Sequence, residues 1–258
     1  VLTHSVIIDI THGVNGEVSM ELLFNKAEKY YDSWESLPDH ERNKISFARL
    51  NETISFCKEK IPFYQDRLLD YEITDQYPLR NMPLLDSSML RKLLPPVSRE
   101  LMTSRSDAYT VFQSGGTTGV PKTTLFSHEE LEKLNLPNAR GFYAVGLKES
   151  DRVSNLFAVG GLYMTFIHIN RMLQQYGCMN FPFSNHTPSD FIYNVVKSFK
   201  INCFTGIASV ILNCLKEFKK FDQDSIEIEK IYYGGEHLYD ADIRYLKDTF
   251  NTKLVRAP

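Results

Sequence analysis

Between residues 114 and 122 the chain reads Ser114-Gly115-Gly116-Thr117-Thr118-Gly119-Val120-Pro121-Lys122, a run dominated by small, hydroxyl-bearing and basic residues. Its glycines permit backbone angles that side chains would forbid, so successive amide N–H groups can converge on one point. The hydroxyls of Ser114, Thr117 and Thr118 add donors, and Lys122 adds a positive charge on a flexible stem. The chemistry open to such a set is to cradle a polyphosphate and spread its charge. A ligand-free Gly/Ser/Thr hairpin is the competing reading, and it weakens as the number of consecutive matching positions grows. Tyr109-Thr110-Val111-Phe112 precedes the run and Thr123-Thr124-Leu125-Phe126 follows it, so two short strands are expected to carry the loop.

Gly116 to Thr123 comes within one residue of the nucleotide loop G-x-x-x-x-G-K-[ST], but Pro121 stands where glycine must precede the lysine. Proline has no N–H and a fixed φ, so that nest of amides cannot form, and a phosphate-loop kinase is disfavoured. The run instead resembles the signature loop of the adenylate-forming superfamily, Ser/Thr-Ser/Thr-Gly-Ser/Thr-Thr-Gly-x-Pro-Lys. Acyl-CoA synthetases and the adenylation domains of peptide synthetases share that loop. Every position fits except Gly115, where a hydroxyl residue is usual, a departure that bears on one phosphate contact.

The elements that must position the loop follow from hydrophobic spacing. Phe47, Leu50, Ile54, Cys57 and Ile61 recur at intervals of three and four, which predicts a long amphipathic helix over Glu41 to Ile61. An earlier helix is expected over Glu17 to Tyr31. Asp86 stands as an N-cap before a helix from Ser87 to Leu94 that Pro95 stops. After the loop, Ser127 and Glu130 make a Ser-x-x-Glu capping box for a helix running towards Tyr143. Strands are then expected at Arg152 to Leu156, Cys178 to Phe181, Asn202 to Thr205, Ile228 to Tyr233 and Lys253 to Ala257. Between them, an apolar helix follows Gly160-Gly161, and Phe191, Ile192, Val195, Val196 and Phe199 form one helical stripe. Ile207, Val210, Ile211, Cys214, Leu215 and Phe218 form another, and Asp240 to Phe250 a last helix. Alternation at these lengths predicts an α/β fold, a mostly parallel, helix-flanked sheet with a helical N-terminal lead-in packed on it. The expected division is 1–105 for the helical region and 106–258 for the α/β core carrying the loop.

Ligands of such sheets sit at the carboxyl ends of the strands, which singles out Phe157 to Gly161, Thr205 to Ser209 and Gly234 to His237. Two of these segments extend the resemblance. Asn155-Leu156-Phe157-Ala158-Val159-Gly160-Gly161-Leu162 is similar to the acid-pocket segment of phenylacetate–CoA ligases. Tyr232-Tyr233-Gly234-Gly235-Glu236 resembles their aromatic-Gly-Ala-Glu-Pro turn, with Gly235 for alanine and His237 for proline. The likeness runs over roughly residues 45–258. It implies phosphate contacts from Ser114, Gly115, Gly116, Thr117, Thr118, Gly119 and Lys122, with Lys122 and Thr118 assisting the chemistry. It implies a nucleotide and acid pocket lined by Gly234, Gly235 and Glu236, and an acid side shaped by Phe157, Gly160, Gly161 and Tyr233. Glu236 as a satisfied loop carboxylate and Phe157 as core packing are the alternatives. With Tyr163 and Tyr232 the aromatics suggest a flat slot for aryl or arylacetic acids, unless they only fill the core.

What the resemblance implies chemically is ATP-dependent activation of a carboxylic acid as an acyl adenylate, with Mg²⁺, followed by transfer to CoA or a carrier-protein thiol. Transfer to an amine, or a truncated nucleotide-binding module without turnover, are the alternatives. In that family the strand ending near Arg256 runs into an aromatic-Gly-x-Thr/Ser-Glu motif carrying the magnesium-associated glutamate. A small C-terminal domain with a catalytic lysine follows. No Tyr-Gly-x-Thr-Glu string occurs in the 258 residues, so no metal ligand is assigned, and the chain is expected to be inactive alone as the first portion of such an enzyme.

Composition bounds the rest. With 43% hydrophobic and 24% charged residues the chain is that of an ordinary globular protein. A net charge of −3 gives no general attraction to nucleic acid or to anionic membranes. The longest apolar run, Leu156 to Ile169, includes His168 and two glycines and is too short to span a bilayer. Cys57, Cys178, Cys203 and Cys214 are scattered, which argues against a zinc site and for reduced thiols in a cytoplasmic setting. The chain begins at Val1, so targeting stays open. A homodimer is a possible assembly.

Overall fold

The structure, a computed structural model, describes residues 36–68, 84–103, 109–115, 121–221 and 226–258. The expected helix over Glu17 to Tyr31 lies outside them. The chain divides into two compact units, Val1–Glu130 and Leu131–Pro258.

In the first unit, α1 (Asp39–Lys60) carries Asp39 and Glu41 in its first turn and Lys58 and Lys60 in its last. Both sets suit the helix dipole. Its predicted stripe is the buried one: Ile54, Cys57 and Ile61 pack with Phe63 and Leu68, and Leu50, Met89 and Leu93 close round them. Pro62 opens the short α2 (Pro62–Gln65), where its missing N–H costs nothing. α3 (Ser87–Leu93) starts as expected, with the Asp86 carboxylate accepting the N–H of Met89 at 2.8 Å. β1 (Thr110–Gln113) and β2 (Thr123–Phe126) then pair antiparallel, from Thr110 opposite Phe126 to Gln113 opposite Thr123. Phe112 and Phe126, both buried, meet edge to face.

α4 (His128–Ala144) begins on the predicted capping box: Ser127 Oγ accepts the Glu130 N–H at 3.2 Å, and the Glu130 carboxylate accepts the Ser127 N–H at 2.6 Å. The second unit continues with β3 (Arg152–Leu156), α5 (Thr165–Tyr176), β4 (Met179–Phe181), α6 (Ser189–Phe199) and β5 (Cys203–Ile207). It ends with α7 (Ala208–Phe221), β6 (Lys230–Gly234), α8 (Asp240–Phe250) and β7 (Leu254–Arg256). All five strands are parallel, in the order β4-β3-β5-β6-β7. Each crossover therefore carries a helix, as parallel pairing requires.

Leu156, Phe204 and Ile231 face a core built with Ile192 and Val196 of α6, Ile211, Leu215 and Phe218 of α7, and Leu246 and Phe250 of α8. On the other face, the Tyr232 ring meets Phe142 of α4 edge to face, and the Tyr176 hydroxyl of α5 donates to the Leu147 carbonyl at 2.6 Å. Two stripes needed revision. Ile207 ends β5 rather than lying on α7. Phe191 and Phe199 are 56% and 52% exposed, while Tyr193 is buried in their place. Those two rings stack edge to face on Phe183 and Phe181 at the flank of the sheet.

At the amino ends of the strands, a buried ion pair fixes their stagger. Lys230 Nζ lies 2.6 Å from Asp151, whose carboxylate also accepts from the Asn202 amide at 3.0 Å and the Lys148 N–H at 2.8 Å.

Candidate active site

Paired strands bring Ser114 and Lys122 together at the neck of the hairpin loop. The Ser114 N–H donates to the Lys122 carbonyl at 3.0 Å, and the Lys122 N–H donates to Ser114 Oγ at 3.0 Å. The serine oxygen is thus an acceptor inward, while its own O–H proton remains able to donate outward. Ser114 and Gly115 are exposed and Lys122 is half-buried. Gly116, Thr117, Thr118 and Gly119 lie outside the described residues.

In the second unit, the carboxyl ends of β3, β5 and β6 bring the three segments singled out from sequence next to one another. The Phe157 ring lies over Gly234: a side-chain carbon on that glycine would sit 3.7 Å from two of the ring's atoms. Phe157 is nearly buried, so the ring forms a wall against the β6 turn. Gly235, with φ of +79°, makes that turn in a region that side chains rarely adopt. It delivers the Glu236 carboxylate to the start of α7, where Oε2 accepts the Ser209 N–H at 2.9 Å. Hydrogen bonds from the Ser209 hydroxyl and N–H hold the glutamate below its ordinary acidity range. A carboxylate at a helix N-terminus is also favoured by the dipole. Glu236 is thus both exposed at the strand ends and engaged in a loop contact.

After Phe157 the chain turns through Gly160, Gly161 and Leu162, all at positive φ, and closes with the Tyr163 N–H on the Gly160 carbonyl at 3.0 Å. Val159, Leu162 and Tyr163 stay exposed, an apolar rim beyond Phe157. Tyr233 is half-buried and packs on the face of Leu156 and Phe204. Tyr232 is not a slot residue: it is fully buried, and its hydroxyl donates to the Val145 carbonyl at 3.3 Å. Adjacent strand residues point to opposite faces, so only one of the two tyrosines can share the face of Phe204. His237 is exposed and sets its ring edge against Tyr239.

Three residues lie in the segments singled out from sequence but were given no role there. Ser209 receives Glu236. Gly206 lets β5 pass close to Leu156, since a side-chain carbon there would fall 2.8 Å from Leu156 Cβ. Asn155, fully buried, binds the Phe157 N–H through Oδ1 at 3.1 Å. The available signal was a polar pair, Ser154-Asn155, flanked by Val153 and Leu156 in a strand whose last four residues are buried. Among the described residues no group of three or more His, Cys, Asp or Glu side chains could hold a metal ion. None of the described helices is long and apolar enough to cross a membrane.

No protein-family model matches the chain, and no curated protein matches it in sequence. Solved structures match it in fold. An open conformation of 2-hydroxyisobutyryl-CoA ligase, in complex with 2-HIB-AMP and CoA, has a TM-score of 0.71 at 17% identity, covering 97% of this chain and 59% of that one. The same ligase in its thioesterification state, again with 2-HIB-AMP and CoA, has a TM-score of 0.69 at 18% identity, covering 90% and 52%. Its postadenylation state with 2-HIB-AMP gives 0.70 at 17%, covering 97% and 53%. The chain therefore shares the α/β fold of part of these ligase structures, and it spans less than two thirds of their length.

Proposed function

We propose that this chain forms the nucleotide- and acid-binding part of an enzyme that activates a carboxylic acid with ATP and passes the acyl group to a thiol, CoA foremost. The observation that carries this is the loop from Ser114 to Lys122, closed at its neck by two hydrogen bonds between those residues. A fold shared with a CoA ligase supports it.

The first step joins a carboxylate oxygen to the α-phosphorus of ATP and breaks the bond to the β-phosphate oxygen, releasing pyrophosphate. Two anions must meet for this to happen, so donors aimed at the phosphates lower the barrier. Ser114, Thr117 and Thr118 supply hydroxyl protons, Gly115, Gly116 and Gly119 let the backbone amides approach, and Lys122 brings positive charge. In the second step a thiol sulfur attacks the acyl carbon and AMP leaves with its electron pair. Mg²⁺ would screen the triphosphate. Among the described residues no group of three or more His, Cys, Asp or Glu side chains offers it a ligand set.

The acid is proposed to lie along the Phe157 ring, beside Gly160 and Gly161, with Tyr233 at the β6 turn. Gly234, Gly235 and Glu236 are proposed to border the nucleotide. A ring wall of this kind favours flat acids, in keeping with the resemblance of Asn155–Leu162 and Tyr232–Glu236 to segments of phenylacetate–CoA ligases. Loss of a charge-assisted contact is worth about 1.5–3 kcal/mol, so Lys122→Ala should weaken ATP binding by roughly ten- to a hundred-fold in calorimetry. Unchanged affinity would remove the lysine from the phosphate site.

A further inference from the structure

Resting on the function proposed above, we propose that Asn155 is a positioning residue that sets the acid side of the site, by holding Phe157, α5 and, through Asn170, β4 in one register. Its Oδ1 accepts the Phe157 N–H at 3.1 Å. Its Nδ2 donates to the Phe166 carbonyl of α5 at 3.1 Å and to Asn170 Oδ1 at 3.1 Å. Asn170 Oδ1 also accepts from Asn180 Nδ2 of β4 at 2.9 Å. The Asn155 main-chain carbonyl accepts the Ser184 N–H at 2.9 Å, and the Phe157 carbonyl accepts the Asn185 N–H at 3.2 Å. The buried Asn155 amide therefore ties the residue after β3 to α5 directly and to β4 through Asn170, while main-chain bonds hold the segment after β4 alongside.

The chemistry selects this side chain. The Phe157 N–H needs an acceptor and the Asn170 side-chain oxygen a donor, and an amide of this length offers both from one group, with the Phe166 carbonyl as a further acceptor. An apolar residue in a buried strand would pack at least as well, but would leave the Phe157 N–H without its acceptor and α5 without its tie to β3. The result is that the Phe157 backbone is drawn back onto the penultimate residue of β3, which places its ring over Gly234. Asn155 touches neither nucleotide nor acid in this arrangement; it acts through Phe157.

Asn155→Asp keeps the shape and removes both donors, setting a carboxylate oxygen against the Phe166 carbonyl. The experiment is acid-dependent exchange of labelled pyrophosphate into ATP, using protein from the whole reading frame and a panel of acids of different width, with melting curves to confirm folding. The KM for the acid is expected to rise by about tenfold or more and the ranking of acids to flatten, because a small misplacement of a positioning wall is costly. The KM for ATP should stay within about twofold, which a general loss of structure would not allow. Asn170→Ala, which removes only one end of the relay, should shift the acid KM in the same direction by less. If the aspartate variant does not fold, this variant decides on the same split. Acid and ATP constants that move together, or an unchanged acid ranking, would overturn the proposal. A wild-type protein with no acid-dependent exchange would instead overturn the function on which the proposal rests.

Discussion

Gly206→Ala tests the strand spacing on which the site depends. Gly206 lies opposite Leu156 in the β3–β5 ladder, and a methyl group there would fall 2.8 Å from Leu156 Cβ and 3.0 Å from its carbonyl carbon. Comfortable carbon–carbon contact begins near 3.5 Å, so the overlap is about 0.5–0.7 Å against backbone rather than a flexible chain end. β5 cannot retreat freely, because Gly206 is also registered with Tyr233 of β6. Overpacking of this kind costs roughly 1–3 kcal/mol, which lowers the melting temperature by roughly 5–15 °C for a unit of this size. Circular dichroism melts of the variant would measure it. Gly141→Ala in α4 is the control: nothing lies within 4 Å of the added carbon, so it should hold or slightly raise stability. A Gly206→Ala protein melting within about a degree or two of wild type would refute the close approach of the two strands.

Glu236 and the cysteines give further tests. The Glu236 carboxylate is held below its ordinary value of 4.5 by Ser209, so its stabilising contact with α7 is complete above that value and fades as pH falls through the lower folded one. Denaturant titrations of wild type and Glu236→Gln should therefore differ at neutral pH and converge in acid, by a small amount because the group is exposed; a constant difference would remove the ionised contact. All four cysteines are buried, and burial pushes the Cys57 and Cys178 thiols to about 11 and Cys214 to about 12. The native protein should resist alkylation near neutral pH and react fully once unfolded, and rapid native labelling of any of them would contradict the packing.

Local signals were readable from sequence and long-range ones were not. The Asp86 cap, the Ser127–Glu130 box and the β3 span came out as expected because each is decided within a few residues. Ile207 was misplaced because a β-branched residue at a strand–helix junction satisfies both periodicities. The stripe containing Phe191 and Phe199 looked wider than the buried face because exposed aromatics can cover other aromatics at its flank. Tyr232 and Tyr233 are equivalent in sequence, and only the sheet's two faces separate them. Glu236 and Ser209 are likewise brought together by the β5–α7–β6 crossover, which no local pattern encodes.

Under the function proposed above, the chain belongs to machinery that adenylates a carboxylic acid. Exchange of labelled pyrophosphate into ATP reads that step alone, without the acceptor thiol. Protein from the whole reading frame should catalyse the exchange only when a suitable acid is present, with flat aromatic acids foremost, and Lys122→Ala should lower it by about ten-fold or more. Folded protein that binds ATP yet shows no exchange with any acid in a broad panel would contradict the account.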